Sequence, residues 1–246
     1  MKNLSNKIAI VTGGSRGIGA AITRKLAEEG ANVVFTYQSS AEKAEALANE
    51  IKNNGGTAIA LAADSSNPTD LKNVIENTVK QFGKIDILVN NAGIYVGKDF
   101  VDYTLEDYQF TMDVNVRAVF LGSQEAVKHM PEGGRIISIG SNMAENAIGP
   151  QTTLYTMSKS ALQGFTRGLA RDLGSRKITV NLVQPGPINT DMNPDNTEFA
   201  DFLRTRLASG EYGKGEDIAN AVAFLAGENS SYITGTFITV DGGFNA

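Results

Sequence analysis

Short runs of β-branched and apolar residues alternate along the chain with longer stretches whose apolar positions recur every three or four residues. The runs are KIAIV (7–11), NVVFTY (32–37), TAIAL (57–61), IDILV (85–89), RIISI (135–139), ITVNLV (178–183) and FITV (237–240). Their length and β-branching predict strands. The helical stretches fall at 17–29, 41–53, 69–82, 106–130, 155–173 and 216–227. Strand, helix, strand repeated in this way predicts parallel pairing through right-handed crossovers, hence an α/β fold: a doubly wound, parallel seven-stranded sheet with helices on both faces. No tract rich in Pro, Ser or charge divides the chain, so one domain over 1–246 is expected.

Composition narrows the chemistry. With 41% hydrophobic and 20% charged residues, the 246-residue chain has the make-up of a soluble globular protein. Lys and Arg number 22 against 27 Asp and Glu, a net charge of −5, which argues against nucleic acid and anionic membrane as partners. The absence of cysteine excludes disulfides, thiolate metal sites and a cysteine nucleophile. One histidine, His129, leaves little room for a histidine-based triad or zinc site; at an expected helix end it favours the dipole. The start, MKNLSNKIAIVTGG, has no secretory pattern, and no apolar run reaches membrane-spanning length, so a cytoplasmic protein is expected.

In doubly wound sheets ligands bind beyond the carboxyl ends of the strands. There the polar residues and glycines collect. After the first strand comes TGGSRGIGAAI, with Gly13, Gly14, Gly17 and Gly19 opening a helix. A glycine turn at a helix N-terminus admits a pyrophosphate; it is also a means of tight packing, and its place after strand one favours a dinucleotide. The second strand ends FTYQSS, without the carboxylate that binds an NAD ribose, while Arg16 stands in the glycine loop. Arg16, with Thr36 and Ser39 as hydrogen-bonding partners, suits a 2′-phosphate, so NADP is favoured over NAD. Asp64, in AADSS after strand three, suits the adenine amino group; Ala92 and Gly93, in NNAGI after strand four, let the chain pass close to the cofactor.

Tyr155 and Lys159 lie four apart in LYTMSKSALQGF. At about 100° per residue they share a helix face with Leu162, Leu169 and Leu173, the side turned toward the protein. A free phenol has a pKa near ~10, so a nearby positive charge is what lets it exchange a proton at neutral pH.

Taken in order, TGGSRGIG, NNAG, Asn115 in MDVNVRAVF, IISIGS, YTMSK, QPGPINT and ITGTFITVDGG resemble a short-chain dehydrogenase/reductase with one Rossmann-type domain, over the whole chain. The resemblance implies roles. Tyr155 is the acid/base; Lys159 lowers its pKa and holds the nicotinamide ribose; Ser141 holds the substrate carbonyl; Asn115 anchors a relay water. It also implies cofactor contacts from Gly13, Ser15, Arg16, Gly17, Ile18, Gly19, Thr36, Ser39, Asp64, Ser65, Asn91, Ala92 and Gly93, from Tyr155 and Lys159, and from Pro185, Gly186, Ile188 and Thr190, which wrap the nicotinamide end. The implied activity interconverts a small carbonyl compound and its alcohol with NADPH, in a homodimer or homotetramer.

One departure stands out. Ser141 precedes Tyr155 by fourteen residues, one more than in many members, which places an extra residue in NMAENAIGPQTTL and makes Asn142 the fallback should the register differ. The stretch 188–215, with Met192, Phe199, Phe202, Leu203 and Tyr212, reads as a lid or as ordinary packing. A 3-oxoacyl-acyl-carrier-protein reductase is the less favoured substrate reading, because MPEGGR before strand five has Glu132 where that subgroup often shows basic residues. The alternative class is a nucleotide-binding sensor on the same scaffold, since the chain is also broadly similar to bacterial members linked to biofilm dispersal.

Overall fold

A computed structural model describes residues 2–246. Seven parallel strands, β1 (Ile8–Val11), β2 (Asn32–Tyr37), β3 (Thr57–Ala62), β4 (Ile87–Asn90), β5 (Arg135–Ile139), β6 (Thr179–Pro185) and β7 (Phe237–Val240), form one sheet in the order β3-β2-β1-β4-β5-β6-β7. The winding reverses between β1 and β4, which pair from Ala9↔Ile87 to Val11↔Val89. β1, β4, β5 and β6 are buried along their whole length, as continuous apolar runs covered on both faces should be.

Two apolar layers flank the sheet. On one side Ile22 and Leu26 of α1 (Gly17–Glu28), Leu47 of α2 (Ala41–Asn53) and Ile218 and Val222 of α8 (Gly215–Ala226) meet Val11, Phe35 and Val89. On the other, Val74 and Ile75 of α3 (Pro68–Phe82), Ala126 of α5 (Ala118–Val127) and Leu173 of α6 (Thr153–Leu173) meet Ile10, Val34 and Ile136. Each fully buried Ile, Leu or Val contributes about 1.5–3 kcal/mol, so these layers hold the strand ends in place. α3 starts at a clear local signal: Asn67 accepts from the Thr69 N–H, and Pro68 occupies the first helical position.

The expected helix over 106–130 is not continuous. It divides into α4 (Leu105–Met112), a π-helical turn over Asp113–Arg117 and α5, which ends at Val127 rather than 130. The cause is Asn115, whose buried side chain bonds a distant loop and pulls the turn out of α-register. β4 also begins two residues later than expected. Ile85 N–H donates to His129 O, outside the ladder, whereas Asp86 keeps backbone bonds to Ile8 O and from Arg135 N–H while its carboxylate accepts from Ile8 N–H at 2.8 Å. Between β6 and α8 lies α7 (Glu198–Arg204), inside the stretch expected as a lid. No helix among the described residues is long and apolar enough to cross a membrane.

Candidate active site

One cavity of about 870 Å³ opens along the carboxyl ends of the strands. All the residues expected to touch the cofactor line it, together with Ser141; Asn115 lies behind its wall. The sheet order makes this convergence, because β1 and β4 leave the switch point in opposite directions and open a crevice between their loops.

The glycine loop is held by side chains. Gly13 has φ +63°, a conformation that favours glycine, and its N–H donates to the Thr36 hydroxyl at 2.9 Å. Gly19 is excluded from any larger identity, since a Cβ there would sit 2.2 Å from Gly13 O. Asn91 donates from Nδ2 to Thr12 O and Gly13 O at 2.9 and 3.0 Å. The Thr12 hydroxyl in turn accepts the Asn91 and Ala92 N–H groups. Thr12, the first residue of TGGSRGIGAAI, is not among the expected cofactor contacts, although its place between β1 and the first glycine is a usable signal. Thr36 lines the cavity but is buried, and its hydroxyl oxygen accepts the Gly13 N–H, so it also shapes the loop.

Arg16 and Ser39, by contrast, are exposed at the mouth. Arg16 lies 3.9 Å from Asp191, which Lys43 also reaches at 3.1 Å. Asp64 and Ser65 lie at the same end. One Asp64 oxygen is occupied by the Ser66 N–H and hydroxyl, both at 2.8 Å, which fixes the carboxylate's direction.

At the other end, the first turns of α6 present Tyr155 and Lys159. Lys159 is buried, its Nζ donating to Ile139 O at 2.9 Å and standing 5.6 Å from the centre of the Tyr155 ring. Lack of water pushes its pKa down to about 8. Burial raises the Tyr155 phenol above its ordinary value; hydrogen bonding with Ser141 pulls it partly back, and Tyr95 raises it slightly. The expected lowering by Lys159 is therefore not what the protein groups alone produce: the ammonium bonds a backbone carbonyl beside the ring face, and burial dominates the phenol. Ser141, in extended conformation after β5, also accepts from Met143 N–H at 3.1 Å. Asn142 also borders the cavity; its Nδ2 donates to Asn245 Oδ1, and its backbone O accepts from Asn245 Nδ2.

Asn115 acts at one remove. Its oxygen accepts from Ile94 N–H at 2.9 Å, and its Nδ2 donates to Ile94 O and to the Ser158 hydroxyl, both at 3.0 Å. Ser158 donates to Tyr155 O at 2.8 Å, which ties the loop after β4 to the first turns of α6.

The longer loop after Ser141 ends at Gln151, which takes φ +62°. Its carbonyl accepts from two phenols, Tyr95 at 3.0 Å and Tyr103 at 3.1 Å. The Tyr95 ring meets Tyr155 edge-on at 5.2 Å between centres. The loop therefore ends in a left-handed turn clasped by two phenols.

In 188–215 the five apolar side chains divide. Leu203 and Tyr212 are buried with Ala200, Leu207 and Phe244 in a small cluster, of which Leu203 and Phe244 also border the cavity. Met192, Phe199 and Phe202 are about half exposed and face the cavity.

Comparison with known proteins agrees with this geometry. A family model described as Enoyl-(Acyl carrier protein) reductase matches residues 13–245. A solved short-chain dehydrogenase/reductase from Serratia marcescens is 52% identical with TM-score 0.98, covering 99% of this chain and 100% of that one. A short chain dehydrogenase from Burkholderia cenocepacia, solved in complex with NADP, is 50% identical with TM-score 0.97 over the same shares. The cyclic-di-GMP-binding biofilm dispersal mediator protein of Escherichia coli (strain K12) is 43% identical over 246 residues, the whole of both chains. With matches of this extent around this cavity, the chain belongs to the short-chain dehydrogenase/reductase family.

Proposed function

We propose that the protein is an NADPH-dependent reductase of small carbonyl compounds, acting through one catalytic unit over the whole chain. The observation that carries this reading is the single cavity that joins a glycine loop bearing Arg16 to the Ser141, Tyr155 and Lys159 group. The residues fit a dinucleotide phosphate. Gly13 and Gly19 leave room where a Cβ would intrude, β2 ends without a carboxylate, and Arg16 and Ser39 are open at the mouth. The Burkholderia relative, solved with NADP, supports the same choice.

The nicotinamide supplies the hydride; the protein orients the carbonyl and supplies the proton. Ser141 holds the substrate oxygen, and Tyr155 gives its phenolic proton to that oxygen as the alcohol forms. A phenol raised by burial is protonated at neutral pH, which is the state reduction requires. Lys159 would hold the ribose, and its ammonium stands beside the phenolate that the transfer leaves, which regains its proton from solvent, while Asn115 and Ser158 position the turn. The half of the cavity bounded by Met192, Phe199 and Phe202 is apolar, which suits an uncharged substrate, and 188–215 serves as its cover.

Exposed Leu105, Tyr108, Phe120 and Met157 support a homodimer or homotetramer, for which light scattering is the check. A second reading, a nucleotide-binding sensor, is favoured by the Escherichia coli relative's name. NADPH oxidation measured across aldehydes, ketones, diketones, quinones and 3-oxoacyl thioesters decides between them. Turnover of uncharged ketones or aldehydes is expected; tight NADPH binding with no turnover of any class would put the sensor first.

A further inference from the structure

Arg16 and Asp191 line the cavity at its mouth, and Lys43, just outside that lining, reaches Asp191; the three come from parts of the chain far apart in sequence. Arg16 comes from the glycine loop, Lys43 from the first turn of α2 and Asp191 from the segment after β6. Asp191 Oδ2 takes both cations, at 3.9 Å from Arg16 Nη1 and 3.1 Å from Lys43 Nζ. Among the described residues, neither cation has another carboxylate at ion-pair distance. All three side chains are more than half exposed, so the contacts are weak and exchangeable.

Asp191 sits at the tip of a tight turn. Thr190 and Asn193 exchange backbone hydrogen bonds at 3.2 and 3.1 Å, leaving Asp191 and Met192 between them. Asp191 points to the cations, while Met192 lines the apolar end of the cavity. The turn therefore joins the phosphate end of the site mechanically to its substrate end.

We propose that Asp191 is a built-in stand-in for the cofactor's 2′-phosphate, and that Lys43 is a further residue selecting it. This rests on the NADPH reading above. A phosphomonoester carries about −1.5 to −2 charges and three acceptor oxygens, against one charge on a carboxylate, so it takes Arg16 and Lys43 from Asp191. The freed turn shifts, carrying Met192 and the covering segment with it. A 2′-hydroxyl cannot make the exchange, so NADH leaves the latch closed.

The test is equilibrium binding by nucleotide fluorescence and calorimetry, with NADPH, NADH, adenosine 2′,5′-bisphosphate and adenosine 5′-monophosphate as probes. Asp191→Asn is expected to tighten NADPH and the bisphosphate about 3- to 5-fold while leaving NADH and the monophosphate unchanged. Lys43→Met is expected to weaken the two 2′-phosphates about 5-fold and spare the others. The bisphosphate should also accelerate trypsin cleavage after Arg204 or Arg206 in the parent protein, with Asp191→Asn already fast without it. If the parent prefers 2′-phosphates, and Arg16→Ala removes that preference while Asp191→Asn and Lys43→Met leave it unchanged, the latch is wrong and the cofactor reading stands. If the parent binds NADPH and NADH equally, both are wrong.

Discussion

The two ends of the cavity are built by different means. At the glycine-loop end, Thr12, Thr36 and Asn91 make five hydrogen bonds to backbone atoms of the two loops, and added atoms collide at once. At the covering end, α7 rests on a small cluster of its own and turns half-exposed phenylalanines toward the cavity. Backbone-directed hydrogen bonds fix position, because each has one good geometry. Apolar contacts tolerate changes of shape if volume is kept. A dinucleotide of constant structure suits the first arrangement, and a set of related substrates suits the second.

The largest effect should come where the two ends meet. Tyr155→Phe removes the transferable proton and keeps the ring, so kcat should fall about 10³-fold or more with the Kd for NADPH nearly unchanged. Full activity in that variant would remove Tyr155 from the chemistry. At the pinned end, Gly19→Ala forces a methyl group into Gly13 O. It should destabilise by about 1–3 kcal/mol and abolish tight NADPH binding, seen by melting with and without cofactor.

Lys159→Met separates function from stability. The lysine's folded pKa of about 8 lies below its ordinary 10.5, so below pH 8 the buried charge opposes folding. The cost is roughly 3 kcal/mol at pH 7, less about 1 kcal/mol for the bond to Ile139 O. The variant should be more stable by about 2 kcal/mol at pH 7 and nearly inactive, with the gain fading as pH rises from 8 to 10.5. A lower melting temperature at pH 7 would contradict the burial argument. Smallest is Phe202→Ala at the covering end: a half-buried ring is worth about 1 kcal/mol, so substrate KM should rise about 5-fold, with NADPH affinity steady.

Much of this was legible in the sequence. The strands, the crevice and the cavity residues follow from local runs and from the order of the motifs, as Gly13, Tyr155 and Lys159 illustrate. What escaped depends on contacts between distant residues. The π turn at Asn115 cannot be read from 106–130 alone, because the Asn115 side chain bonds Ile94, outside that stretch. Gln151's left-handed turn is unusual for its residue type and needs Tyr95 and Tyr103 to hold it. Lys43 and Asp191 lie 148 positions apart, and neither belongs to a motif. The bond from Gly13 N–H to the Thr36 hydroxyl is likewise illegible locally, since polarity at a strand end does not say what the hydroxyl bonds.

The place of β1 inside the sheet bears on how the protein comes to exist on the ribosome. β1 is made before its β4 partner, which lies about 80 residues later, and the crevice between them has no walls before then. Parallel pairing over such separations is slow, since long loops must close before any contact rewards them. The nucleotide-binding loop is thus synthesised before the walls that complete it. A nucleotide added during refolding should stabilise the finished sheet without hastening its first steps.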